Sequence, residues 1–320
     1  MKKSTYLSVF VAVLGFMISL IVAPWHYGGD QIIYTRVYNE INKYNLTDAL
    51  LHYQGQIASL DLVHFFYIYI FSVLNVEKNI AMGMANSTMM FLFSKTIFRY
   101  IRPSFIAALF IVSNYYILSL GFTLERLKFA VLFLFLALYL DKNVKLRIMA
   151  LALSIAAHYS ILILIIIGGL YITFQPKKEC RIHAVNTVLS LNTTKVFALI
   201  VLIFVLINIE TIGWKLDAYL FVDERENTFS AVFKTLIMFI MAWYVMGNCS
   251  PKLIFIFAPL ILLSFLIEPA RINFFAYMFL LYISLTSTYS KRKMRVLVLS
   301  SIYFSFTGIN YLIMIYNYGG

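Results

Sequence analysis

Four short groups of residues carry side chains suited to acid–base or anion-binding chemistry. His158 stands in Ala156-Ala157-His158-Tyr159-Ser160, inside an apolar run from 146 to 174. An ionisable group in such a run is costly and marks a functional site, although a lone buried histidine also serves as a hydrogen-bonded core residue. The small residues beside it allow close packing around the imidazole. Glu125-Arg126-Leu127-Lys128-Phe129-Ala130 forms a second group. Glu125 and Lys128 are three apart and face each other on a helix, whereas adjacent residues do not, so Arg126 is expected to be left for an anionic ligand. The third group is Gly28-Gly29-Asp30 followed by Tyr34 and Tyr38, a spacing of four that puts Asp30 and both tyrosines on one helical stripe. Asp30 also suits a helix N-cap. The fourth is Glu268-Pro269-Ala270-Arg271-Ile272-Asn273, with Pro269 fitted to a first helical turn and Glu268 within reach of Arg271.

The elements that must position these groups follow from composition. The chain has 320 residues, of which 62% are hydrophobic and 12% charged, against about 25% charged in soluble domains. Mean hydropathy is +0.85. At about 20 residues per crossing, this predicts an all-α polytopic membrane protein of roughly 10–11 transmembrane segments. Residues 1–320 read as one integral membrane domain with no attached soluble domain. The first apolar segment, 6–23, follows Lys2 and Lys3 and continues into Pro24-Trp25-His26-Tyr27, so it is expected to be a retained span and not a cleaved signal. The net charge of +12 is dispersed over short loops. That pattern reports topology and gives no ground for nucleic-acid binding.

Basic clusters at Lys2/Lys3, Lys95/Arg99/Arg102, Lys142/Lys145/Arg147, Lys177/Lys178/Arg181 and Lys291/Arg292/Lys293/Arg295 are placed inside, with the N-terminus cytoplasmic. The polar stretches 24–61 and 210–229 become the first and second outside loops, with further outside turns at 122–126 and 268–271. Simple alternation fails twice. The run 146–174 is 29 residues long, and two half-length helices meeting near His158 reconcile it with inside clusters at both ends. Likewise 62–76 is expected to dip in from outside and return before a span that starts at Ile80. Irregular backbone at membrane depth requires cover by protein or a water-filled cavity. The remaining spans are expected at 104–121, 127–140, 195–209, 230–246, 253–267, 272–289 and 296–316.

This topology gathers Asp30, Arg126, His158 and Arg271 toward the outer face. Two arginines, a carboxylate and a histidine beside a broken helix suit a phosphate-bearing lipid headgroup, because guanidinium forks match phosphate oxygens. Tyr27, Tyr34, Tyr38, Tyr44 and Tyr53 lie in the first outside loop, where they could stack on sugars. Arg36, Asp61 and His64 also fall outside, each with an ordinary interfacial explanation. The chain contains no Walker loop, no His-Glu-x-x-His pattern, no Gly-x-Ser-x-Gly elbow, no Asp-x-Asp motif and no Cys/His cluster. No cofactor and no metal are expected. Cys180 and Cys249 fall in inside loops, so no disulfide is expected.

Gly29-Asp30 with Tyr34, Arg126-x-x-x-Ala130, the Ala-x-His-x-Ser stretch around His158, and Arg271, in that order, resemble the Wzy-type polysaccharide polymerases, in particular their EpsG-like branch. The resemblance spans roughly residues 25–290; Leu127 stands where that family often has glutamine after the arginine. It implies a GT-C-like glycosyltransferase of the bacterial inner membrane, active at the periplasmic face. Such an enzyme transfers a glycan from undecaprenyl pyrophosphate onto a lipid-linked repeat unit, and a chain-length regulator protein is an expected partner beside membrane lipid. On that substrate the expected catalytic set is His158, Asp30, Arg126 and Arg271: the arginines on the donor pyrophosphate, and His158, ahead of Asp30, as general base. Tyr34, Tyr38, Arg36, Lys128, Asn273 and Glu268 complete the expected substrate-binding set. A flippase for lipid-linked oligosaccharides and a GT-C-like glycan-modifying transferase are the competing expectations.

Overall fold

The computed structural model describes residues 2–59, 61–140, 143–173, 226–247, 251–264, 269–287 and 290–319. Among them every regular element is a helix. By length and composition two helices can cross a membrane, at Lys3–Trp25 and Lys291–Tyr318, or up to four if each of two bent helix pairs counts as one span. The chain divides into two compact units, residues 1–161 with 300–320, and residues 162–299.

The first unit is built around α5 (Lys78–Ile97), which packs against both α1 (Lys2–Val22) and α8 (Glu125–Tyr139). Small residues make this close approach possible. Gly83 lies against the Phe16 ring, and Ser87 Oγ donates to the Ala12 carbonyl at 2.9 Å. Asn86 ties three elements together, donating to Ser19 Oγ at 2.9 Å and to the Gly121 carbonyl at 3.2 Å. At the expected inside end, Lys95 Nζ donates to Thr5 Oγ1 at 2.5 Å.

The stretch expected as an outside loop is helical. It folds into α2 (Gln31–Glu40) and α3 (Leu46–Ile57), the latter capped by Asn45, whose side chain accepts from the Thr47 and Asp48 amides. α4 (Leu62–Val73) then departs from α3 at 119°. Ala58 permits that turn by taking a left-handed backbone at φ 50°, and Asn75 does the same at φ 53° between α4 and α5. The predicted span 104–121 is instead α6 (Phe105–Val112) and α7 (Tyr115–Phe122), bent by 46°. Asn114 explains the break, because its side chain accepts from the Tyr116 and Ile117 amides and starts a new helix.

α9 (Val144–Ala157) packs on α8, where Ser154 Oγ donates to the Ala130 carbonyl at 2.6 Å. It stops at His158, whose backbone is extended, and α10 (Ile161–Thr173) starts three residues later, so the run 146–174 is interrupted where the sequence predicted.

In the second unit α11 (Glu226–Met246), α12 (Pro251–Leu263) and α13 (Pro269–Thr286) pack on one another, with Phe239 against Phe257. α14 (Ser290–Tyr318) begins in this unit and ends in the first. The predicted span 195–209, residues 210–225 of the predicted second outside loop 210–229, the basic cluster Lys177/Lys178/Arg181, Glu268, Cys180 and Cys249 lie outside the described residues, and 226–229 form the first turn of α11 instead of loop.

Candidate functional site

Three helix ends of the first unit meet in one buried polar cluster. Asp61 precedes α4, Arg126 is in the first turn of α8, and His158 follows the last turn of α9. Asp61 is 2% exposed and His158 2%. The His158 Nδ1 lies 3.0 Å from Asp61 Oδ1, and Arg126 donates through Nη1 to Asp61 Oδ2 at 3.0 Å. Ser59 Oγ adds a donor to the same oxygen at 2.8 Å. Burial opposes the charge on Asp61, but His158 and Arg126 outweigh it and hold the carboxyl well below the usual carboxylate range.

Arg126 also donates through Nε to the Tyr34 hydroxyl at 2.8 Å, and that hydroxyl donates to Asp30 Oδ2 at 3.2 Å. The helical stripe expected for Asp30 and Tyr34 is therefore real. The N-cap is not: the Asp30 side chain makes no capping bond, and its backbone is already helical. Arg126 is not left over either. Its guanidinium is committed to Asp61 and Tyr34 through two of its donors, and the planar fork offers more.

Glu125 departs from the expected pairing with Lys128. Its carboxylate lies 3.2 Å from His64 Nε2 and 3.7 Å from Lys78 Nζ, and it accepts from Gln31 Nε2 at 3.0 Å. The opposite ring nitrogen, His64 Nδ1, lies 2.9 Å from the Tyr53 hydroxyl. Lys78 also donates to Gln31 Oε1 and Thr35 Oγ1, at 2.9 and 3.0 Å. Lys128 points elsewhere on α8. It is fully buried and donates to the Gly121 carbonyl at 3.3 Å.

Tyr38 is buried and donates to the Val76 carbonyl at 2.8 Å, which fastens α2 to the α4–α5 turn; burial pushes its hydroxyl up to about 12. Arg36 is exposed on α2. In the second unit Arg271 sits near the start of α13, and Asn273 accepts from Thr235 Oγ1 at 3.1 Å. The structure thus brings together Asp30, Tyr34, Arg126 and His158. It adds Asp61, His64 and Tyr53, which the sequence alone places among ordinary interfacial or sugar-stacking residues. The available signal was Asp61-x-x-His64 heading an apolar segment, two titratable groups on one face of a first helical turn.

A carboxylate on an imidazole Nδ1 holds that nitrogen protonated and presents the lone pair at Nε2, the arrangement of a general base. The guanidinium on the other carboxylate oxygen places a permanent cation beside it. Among the described residues no group of three His, Cys, Asp or Glu side chains is placed to hold a metal ion. The chain matches no protein-family model, no curated protein and no solved structure.

Proposed function

We propose that the protein is a multi-pass membrane glycosyltransferase of the polysaccharide-polymerase type. In this reading, roughly ten crossings hold the helix ends of Asp61, Arg126 and His158 at the periplasmic face of a bacterial inner membrane. The substrate is an undecaprenyl-pyrophosphate-linked glycan, the acceptor a lipid-linked repeat unit. The observation that carries the reading is the Asp61 carboxylate, which engages His158 Nδ1 and Arg126 Nη1 at 3.0 Å each. Glycosyl transfer from a pyrophosphate needs those two functions side by side: a base for the acceptor hydroxyl and a cation for the departing anion.

His158 Nε2 takes the proton of the acceptor hydroxyl as its oxygen bonds to the donor's anomeric carbon. The bond between that carbon and the pyrophosphate oxygen breaks, and the electron pair leaves with the pyrophosphate. Arg126 stabilises the charge that develops there. Asp30, exposed and hydrogen-bonded to Tyr34, is assigned to the rim, not to proton abstraction.

The test is elongation of a synthetic lipid-linked repeat by the purified full chain. Arg126→Ala and His158→Ala are each expected to lower the rate by about 100-fold or more. Normal elongation by Arg126→Ala would exclude the charge-stabilising role. In cells, loss of the long-chain glycan ladder with one repeat retained supports the polymerase; loss of every repeat supports a flippase instead.

A further inference from the structure

We infer that Asp61 is a positioning residue of this site, setting the His158 tautomer and the place of Arg126 through its two oxygens. The inference rests on the glycosyltransferase reading for its catalytic consequence but not for its structural content. Asp61 lies in the short connection between α3 and α4, where the chain turns by 119°. That turn brings a residue from a polar loop to the ends of α8 and α9, 65 and 97 positions away in sequence. Nothing local requires it there. The Asp61 side chain makes no capping bond to α4, although its position before Leu62 is that of an N-cap. The carboxylate is spent instead on three side chains, Ser59 Oγ, His158 Nδ1 and Arg126 Nη1.

Because ionised aspartate only accepts hydrogen bonds, His158 must present Nδ1 as a donor. The same carboxylate stabilises the imidazolium that forms when Nε2 takes a proton, without itself becoming protonated. Among the described residues the charged and titratable groups around the pair include Arg126, Tyr34, Tyr53, His64, Glu125 and Tyr159, whose ring lies 5.2 Å from that of His158, and the Asp61 carboxylate bonds to Arg126 and Ser59 as well as to His158. Glu125 is directed to His64 and Lys78, so it does not duplicate the function.

The experiment uses the full chain in lipid nanodiscs, labelled with 15N-histidine, with His158 signals assigned by their loss in His158→Gln. The wild type is expected to show His158 protonated at Nδ1, and Asp61→Asn, whose amide can also donate, to shift it toward the Nε2-protonated form. An Nε2-protonated wild type, or an unchanged signal in Asp61→Asn, would overturn the inference whatever the activity. On lipid-linked substrate, Asp61→Asn is expected to lower kcat by about 100-fold or more with KM within about threefold. Asp61→Glu is expected to recover part of that loss, and Asp61→Asn to cost little further in a His158→Ala background. An equal loss in both backgrounds would mean that Asp61 does not act through His158. If the wild type fails to elongate while the tautomer result holds, the glycosyltransferase reading falls and the positioning role stands.

Discussion

Asp61 and Glu125 are both buried, and each holds one imidazole and one basic side chain, His158 with Arg126 and His64 with Lys78. The second set, Glu125, His64, Lys78, Gln31 and Tyr53, is bonded together, with further bonds from Lys78 to Thr35 Oγ1 and from Gln31 to the Phe122 carbonyl. It anchors α2, α3, α4 and α5 to the head of α8 and so fixes where Arg126 stands. Glu125→Ala leaves the Lys78 ammonium without its carboxylate and is expected to destabilise the protein by about 3–5 kcal/mol, read as a lower thermal midpoint in detergent. Glu125→Gln, which keeps the shape and a hydrogen-bond acceptor, is expected to cost less. These partnerships were not legible residue by residue. The spacing of three between Glu125 and Lys128 is compatible with an ion pair, but the partners that won, Lys78, His64 and Gln31, are 47, 61 and 94 positions away. A buried carboxylate goes to the cations and N–H donors that tertiary packing brings within reach, and sequence spacing reports only the local ones.

The helices that carry the site are short, as the sequence predicts for 62–76, 127–140 and the two halves of 146–174; the predicted long span that breaks is 104–121. The break at His158 was readable, because a 29-residue apolar run between two basic clusters does not fit one span. The break at Asn114 is not legible in advance; Ser113-Asn114 within an otherwise apolar run gives only a weak stop, and it becomes decisive through the cap Asn114 forms and through what packs on it. Gly308 of α14 is that packing partner. A Cβ there would sit 1.9 Å from the Ser113 carbonyl oxygen. Nearby, Thr123 shares a short hydrogen bond with the Tyr311 hydroxyl, and Tyr116 packs on Phe304. Gly308→Val is therefore expected to push α14 off the α6–α7 joint and destabilise the fold by about 1–3 kcal/mol, measured by thermal unfolding. A Gly308→Val protein as stable as the wild type would show that this approach is not tight.

Across the whole molecule, the charge pattern predicts that α3 and the α8–α9 connection face opposite sides of the membrane. Gln56 and Lys145 are both exposed, so each suits a single cysteine in a chain with Cys180 and Cys249 replaced by serine. Gln56→Cys is expected to react with an impermeant maleimide in intact cells, and Lys145→Cys only after permeabilisation; labelling of both in intact cells would overturn the orientation. The sequence by itself supplies apolar runs long enough to suit a membrane, where only helices and closed barrels satisfy their backbone, and the described residues take the helical solution. It also marks His158, since an ionisable group inside apolar sequence is costly enough to stand out, and Arg126 through its place between Glu125 and Lys128 at the head of a predicted span. Only the tertiary structure decides that Asp61 joins them. Its place in a polar loop makes it ordinary in the sequence, and its burial between an imidazole and a guanidinium arises from the α3–α4 turn and the packing of α4 against α9, which no local pattern encodes.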